Sequence, residues 1–175
     1  MNPDSIIILG IDPGTRITGY GLIRLLPSGI EPIDYGCIRP PATLELAARY
    51  CIIFEAIEQL IGKFHPHVMA IETQFVLKNA QSAIKLGMAR GMAVLAAARA
   101  KIEIHEYAPK RAKQAVVGNG SASKEQVQRM IAALLHLPKP PEPEDAADAL
   151  ALAICYANTK KMTGRIGCTN SLKAY

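Results

Sequence analysis

Ile6-Ile7-Ile8-Leu9-Gly10-Ile11 carries no polar side chain and reads as a strand buried on both faces. Asp12-Pro13-Gly14-Thr15 then predicts a turn, because proline presets φ and glycine permits the reversal. Residues 17–25 resume as a strand, and Gly19 and Gly21 leave room there for something to approach closely. Pro27-Ser28-Gly29 is a hairpin loop, and residues 30–38 form a third strand. Three strands joined by short turns make an antiparallel meander.

Past Pro40-Pro41 the period changes. Leu44, Ala47, Ala48, Cys51, Ile52, Ala56, Leu60, Ile61 and Phe64 fall three or four apart, which predicts a long amphipathic helix. Pro66 ends it, and residues 67–71 form a short strand that reaches Glu72. An alanine-rich helix follows over about 80–100, with small side chains suited to close packing, and residues 102–107 make a fifth strand. Pro109 opens a short helix that Gly118-Asn119-Gly120 stops. Ser123, with Gln126 three positions on, is a capping-box start for a helix to about His136. Residues 138–143 break the chain, and a last helix runs from Glu144 to about Ala157. Residues 1–158 are expected to form one domain, with 159–175 a loose tail lacking periodicity. The order βββαβαβ, then helices, predicts an α/β fold with a five-stranded mixed sheet and helices on both faces. Right-handed crossovers place the strand before Glu72 parallel to the first strand and beside it. Sites in such sheets form beyond the carboxyl ends of parallel strands.

A length of 175 residues suits one self-sufficient core. Half of the residues are hydrophobic and a fifth charged, which excludes wholesale disorder. No apolar run approaches the roughly 20 residues of a membrane span, and no export signal is visible, so the expected compartment is the cytoplasm. Cys37, Cys51, Cys155 and Cys168 are scattered without zinc spacing and are expected to be free thiols, mostly buried. The net charge of +5 is uneven: residues 73–141 hold 11 Lys or Arg against 3 Glu. A basic half beside an acidic remainder points to a polyanion, DNA or RNA ahead of a membrane. An ordinary basic surface is the competing reading.

The acidic positions sharpen this picture. Asp12 and Glu72 stand where strands end, and Asp145 and Asp148 lie three apart near the start of the last helix, on one face. Each has an ordinary reading alone: a turn former, a strand terminator, a partner for the helix dipole. Together, four carboxylates from three segments can converge at one sheet edge. They would repel unless a cation joined them, and oxygen donors without histidine select Mg²⁺ or Mn²⁺ over zinc. Two such ions about 4 Å apart suit in-line attack on phosphorus. An acidic pocket in a basic surface is the layout of a nuclease.

Gly10-Ile-Asp-Pro-Gly-Thr-Arg-Ile-Thr-Gly-Tyr-Gly21, Ala70-Ile-Glu72 with Phe75, Lys78-Asn-Ala80, Lys85-Leu-Gly87, Val116-Val-Gly118 and Asp145-Ala-Ala-Asp-Ala-Leu-Ala151 together resemble the RuvC family of bacterial Holliday junction resolvases. The resemblance runs in order from about residue 6 to 157. It implies a ribonuclease H-like fold and a homodimer that cuts two opposed strands of a four-way junction, leaving 5′-phosphate and 3′-hydroxyl ends. It also implies work alongside the RuvA–RuvB branch-migration complex. Asp12, Glu72, Asp145 and Asp148 match the family's catalytic carboxylates, which implies Mg²⁺, two ions per site, with Mn²⁺ a substitute. Phe75 matches a loop phenylalanine that stacks on bases, and Lys113 and Lys124 match lysines near the cleaved backbone. Lys78 and Lys85 are further candidate phosphate contacts, and the alanine-rich helix is the candidate dimer interface. Two rivals stay open here. Gly-Ile-Asp-x-Gly-Thr also opens actin-like ATPases and sugar kinases, which need two such domains. A non-catalytic junction-binding module is the other, although none of the four carboxylates is missing.

Overall fold

Alternation along Ile6–Asp12 (β1) divides the core into two halves. Ile7, Leu9 and Ile11 enter one buried cluster, and Ile8 enters the other. The computed structural model describes residues 5–73 and 80–166. In it β1 is the middle of a five-stranded sheet in the order β3-β2-β1-β4-β5. Thr18–Leu25 (β2) pairs antiparallel with β1, and Ile30–Ile38 (β3) antiparallel with β2. Val68–Glu72 (β4) runs parallel to β1 on its other side, and Glu103–Tyr107 (β5) parallel to β4. The predicted meander, crossovers and mixed sheet are all present. On the outer strand β3 the register slips opposite Leu22/Ile23, next to Pro32.

Leu46–Phe64 (α1) and Ala80–Arg99 (α2) cover one face. The inward stripe of α1 is Tyr50, Ile53, Ile57 and Ile61. Its period is the expected one, but its phase differs: Cys51 is exposed, and Leu44 lies before the helix, also exposed. Apolar residues on several sides of this helix made the inward phase ambiguous. His65 closes α1 in the left-handed region (φ 48°), its N–H reaching the Ile61 carbonyl at 2.9 Å, before Pro66. α2 buries only alanines: Ala89, Ala93, Ala96 and Ala97.

Glu144–Ile166 (α5) covers the other face, and Pro109–Val117 (α3) and Lys124–Leu134 (α4) pack against α5. Proline starts α3, and Gly118 (φ 75°) ends it. At α4 both halves of the capping box form: the Ser123 N–H donates to Gln126 Oε1 at 2.9 Å, and the Gln126 N–H to Ser123 Oγ at 3.3 Å. Helix α5 passes its expected end near Ala157, so residues 159–166, expected as the start of a loose tail, are helical. Polar tethers hold this stretch where apolar periodicity lapses. Asn158 Nδ2 donates to the Ala115 carbonyl at 3.0 Å, and Thr159 Oγ1 to the Cys155 carbonyl at 2.9 Å. Cys37, Cys51 and Cys155 are free thiols, but Cys155 alone of these three is buried; Cys168 lies outside the described residues. Among the described residues no helix is long and apolar enough to cross a membrane.

The seat of α5 decides where the functional groups fall. Gly10 and Gly21 are paired across β1 and β2, and Gly19 lies two residues before Gly21 on the same face. A β-carbon on Gly10 would stand 2.0 Å from the Ala149 carbonyl oxygen, and one on Gly21 would stand 2.8 Å from Leu150. The glycines expected to admit a close neighbour admit this helix. Gly10→Ala should therefore destabilise the protein by about 1–3 kcal/mol, a fall in Tm of roughly 3–10 °C at this chain length. Gly62→Ala, on the exposed side of α1 with nothing within 4 Å, should be neutral or stabilise by up to about 1 kcal/mol. Thermal melts of the two variants check this contrast.

Candidate active site

Asp12 is the last residue of β1 and Glu72 the last of β4. These strands are parallel neighbours in the register Ile11↔Ile71, so both carboxylates leave the sheet at one edge. In the ladder with β2, Asp12 faces Gly19. A β-carbon on Gly19 would stand 1.9 Å from the Asp145 carbonyl oxygen. The first turn of α5 is thus pressed against the residue paired with Asp12. Asp148, three residues on, shares the face of Asp145.

All four carboxylates are half-buried and lie in one another's field. Burial pushes Asp12 up to about 8, and Glu72, Asp148 and Asp145 add to the rise, opposed by Lys124. Burial likewise raises Glu72 to about 7, with Asp148 adding and Lys113 opposing. Asp148 is raised by burial, while Lys124 and Lys113 pull it down. The two lysines from α3 and α4 therefore flank the acidic group. Lys85 is exposed on α2 and is not among the charges acting on Asp12, Glu72 or Asp148. Phe75 and Lys78 lie outside the described residues.

Three further residues border the site. Glu144 Oε2 accepts from Lys124 Nζ at 2.6 Å, fixing that lysine beside the carboxylates and raising its proton affinity. In the sequence Glu144 is one more acid in a first helical turn. Cys37 faces Gly19 across β2 and β3. Burial pushes its thiol up to about 11, with Asp145 and Asp12 adding, so it stays protonated at neutral pH. Arg49 reaches the turn after Asp12 from α1, by donating to the Thr15 carbonyl. Nothing in local spacing marks that contact.

Among the described residues no three His, Cys, Asp or Glu side chains form a closed ligand shell. The acids share a field without converging on one point. Their chemistry nevertheless fits a hard divalent cation: the donors are carboxylate oxygens, no imidazole joins them, and Asp12 and Glu72 are raised by burial first and by neighbouring carboxylates second, a repulsion that a cation would relieve.

The family model described as crossover junction endodeoxyribonuclease RuvC matches residues 8–156. The chain belongs to the RuvC family. Relatives named crossover junction endodeoxyribonuclease RuvC include one from Protochlamydia amoebophila, 58% identical over 88% of this chain and 92% of its own. Another, from Vibrio campbellii, is 52% identical over 89% of this chain and 88% of its own. Among solved structures, Thermus thermophilus RuvC in complex with Holliday junction substrate superposes with a TM-score of 0.84 at 30% identity, over 90% of this chain and 96% of that one. The yeast mitochondrial Holliday junction resolvase Ydc2 shares the fold, with a TM-score of 0.68 at 16% identity over 94% and 84% of the two chains. The ribonuclease H-like resolvase fold is thereby established for this RuvC-family chain, and the kinase and ATPase reading is set aside.

The acid cluster predicts an unusual pH dependence. Asp12 and Glu72 titrate near 8 and 7 in the folded protein, against 3.8 and 4.5 ordinarily. From about pH 4 to 8 the folded state holds protons that the unfolded chain has released, so stability falls as pH rises through that window. Without divalent ions, melting temperature should drop between pH 5 and 8, and Asp12→Asn should flatten the slope. Mg²⁺ competes with those protons and should raise the melting temperature more at pH 8 than at pH 5. Calorimetry with and without Mg²⁺ checks both signs.

Proposed function

We propose that this protein resolves Holliday junctions as a single-domain, divalent-metal-dependent endonuclease, cutting two opposed strands in recombination and repair. The supporting observation is the seat of α5, which sets Asp145 and Asp148 beside the parallel-strand ends Asp12 and Glu72. These four carboxylates are the proposed catalytic and metal-binding residues, for Mg²⁺, two ions per site, with Mn²⁺ a substitute. When bound, the ions supply the positive charge that activates water and steadies the departing 3′ oxygen. Lys113 and Lys124 hold the scissile backbone over the acids, and Glu144 keeps Lys124 from swinging away. Phe75 stacks on bases at the crossover, and Lys78 and Lys85 contact phosphates. Products carry 5′-phosphate and 3′-hydroxyl ends. The protein works in the cytoplasm with the RuvA–RuvB complex.

Paired cutting calls for two equivalent sites, hence a two-fold homodimer. Helix α2 offers the surface. Ile84, Met88 and Leu95 are 64%, 50% and 47% exposed, and with Gly91 they repeat at spacings of four, three and four along one side. An exposed apolar stripe of this kind suits burial against its own copy.

The test is a synthetic four-way junction with Mg²⁺, and a linear duplex of the same sequence as control. Paired cuts in the junction alone are expected. Asp12→Asn, Glu72→Gln, Asp145→Asn and Asp148→Asn should each still shift a junction in metal-free gels, because the basic surface is untouched. Each should cut on the order of 10²-fold or more slowly. Near-normal cutting by one variant removes that residue from the site. Met88→Glu should give monomers in micromolar sedimentation and abolish paired cutting; a persistent dimer places the interface elsewhere.

A further inference from the structure

Arg49 is 9% exposed, and its Nη2 donates to the Thr15 main-chain carbonyl. Its Nε is buried and, among the described residues, has no partner. A buried guanidinium with so few partners works against stability, because the charge has left water for little return. A side chain such as methionine would fill the same space without that penalty. Retention of a costly group needs a reason other than folding.

The turn that Arg49 grips supplies the reason. Asp12 is the last paired residue of β1, and β2 begins at Thr18, so residues 13–17 cross the sheet edge beside the carboxylates. Inside this turn the Thr18 hydroxyl donates to the Gly14 carbonyl at 2.8 Å and accepts from the Gly14 N–H at 3.2 Å. Those bonds close Gly14 onto Thr18 and leave the crest at Thr15 and Arg16 to be held from elsewhere. Arg49 does so from the first turn of α1. The next residue, Tyr50, anchors that turn by donating its hydroxyl to the Lys85 carbonyl of α2 at 3.0 Å. Arg49 is not among the charges acting on the Asp12 carboxyl, so its grip is on the backbone.

We propose that Arg49 is a positioning residue that holds the Pro13–Gly14–Thr15 turn so that Asp12 keeps its place among the acids. The inference rests on the nuclease reading of that site, which wild-type cleavage of a four-way junction tests separately. Arg49→Met should melt within about 2 °C of wild type, or above it, yet show at least a tenfold lower kcat with KM changed less than threefold. The Mg²⁺ concentration that gives half the full rise in melting temperature should increase at least threefold, a readout independent of cutting. Arg49→Lys, which restores one donor, should recover kcat to within about threefold. Ile57→Val loosens α1 from the sheet without touching the Thr15 tether, and should lower melting temperature while sparing kcat. If Arg49→Met fails to fold, melts many degrees lower, or retains wild-type kcat and Mg²⁺ response, the proposal is overturned. Equal loss of kcat in Ile57→Val, or no recovery in Arg49→Lys, overturns it as well. Inactive wild-type protein, with an Arg49-dependent Mg²⁺ response still present, would instead fault the nuclease reading.

Discussion

Backbone meets backbone where α5 crosses β1 and β2, at a separation that the absent β-carbons of Gly10, Gly19 and Gly21 permit. A side chain at any of them would lift the helix, and the lift would be felt at the carboxylates first. Gly19 is at once the ladder partner of Asp12 and the floor beneath Asp145. Close packing here is the device that makes two distant stretches of sequence one site. Opposite Gly10 the helix presents the backbone of Ala149 and Ala153, small residues that let it sit this low, while the Leu150 side chain rests on Gly21.

That proximity has an electrostatic consequence. Half-buried acids brought together bind protons more tightly than they would in water, since neither desolvation nor mutual repulsion is relieved within the group itself. Lys113 and Lys124 relieve part of it from the rim. Glu144 in turn holds Lys124 by an exposed ion pair, an interaction worth little for stability but well placed to fix one cation's position. Charge of both signs is thus gathered along one stretch of the sheet edge.

Much of this was legible in the sequence, and the parts that were not share a cause. Strand alternation, the Ser123 capping box and the acids at strand ends are local patterns, each readable over a few residues. The segments Gly10–Gly21 and Asp145–Ala151, with the shorter motifs between them, carried the family resemblance, and the structural likeness to solved resolvases agrees with it. Hidden were contacts between residues far apart in the chain: Arg49 with Thr15, Lys124 with Glu144, Asn158 with Ala115. The last of these accompanies α5 past the end that its hydrophobic period predicts, since a polar tether leaves no such period to read. The inward phase of α1 is hidden for the opposite reason, an excess of apolar residues around the helix.

The placement of α5 also bears on events during synthesis. The strand ends Asp12 and Glu72 leave the ribosome well before Asp145, which follows Glu72 by 73 positions. At about 5–20 residues per second, that interval is roughly 4–15 s. Throughout it the sheet face made by Ile8, Gly10, Gly19 and Gly21 has no helix to cover it, and two of the four acids do not yet exist. What a nascent chain of this protein risks over that interval is exposure of a bare, glycine-lined apolar face to other chains.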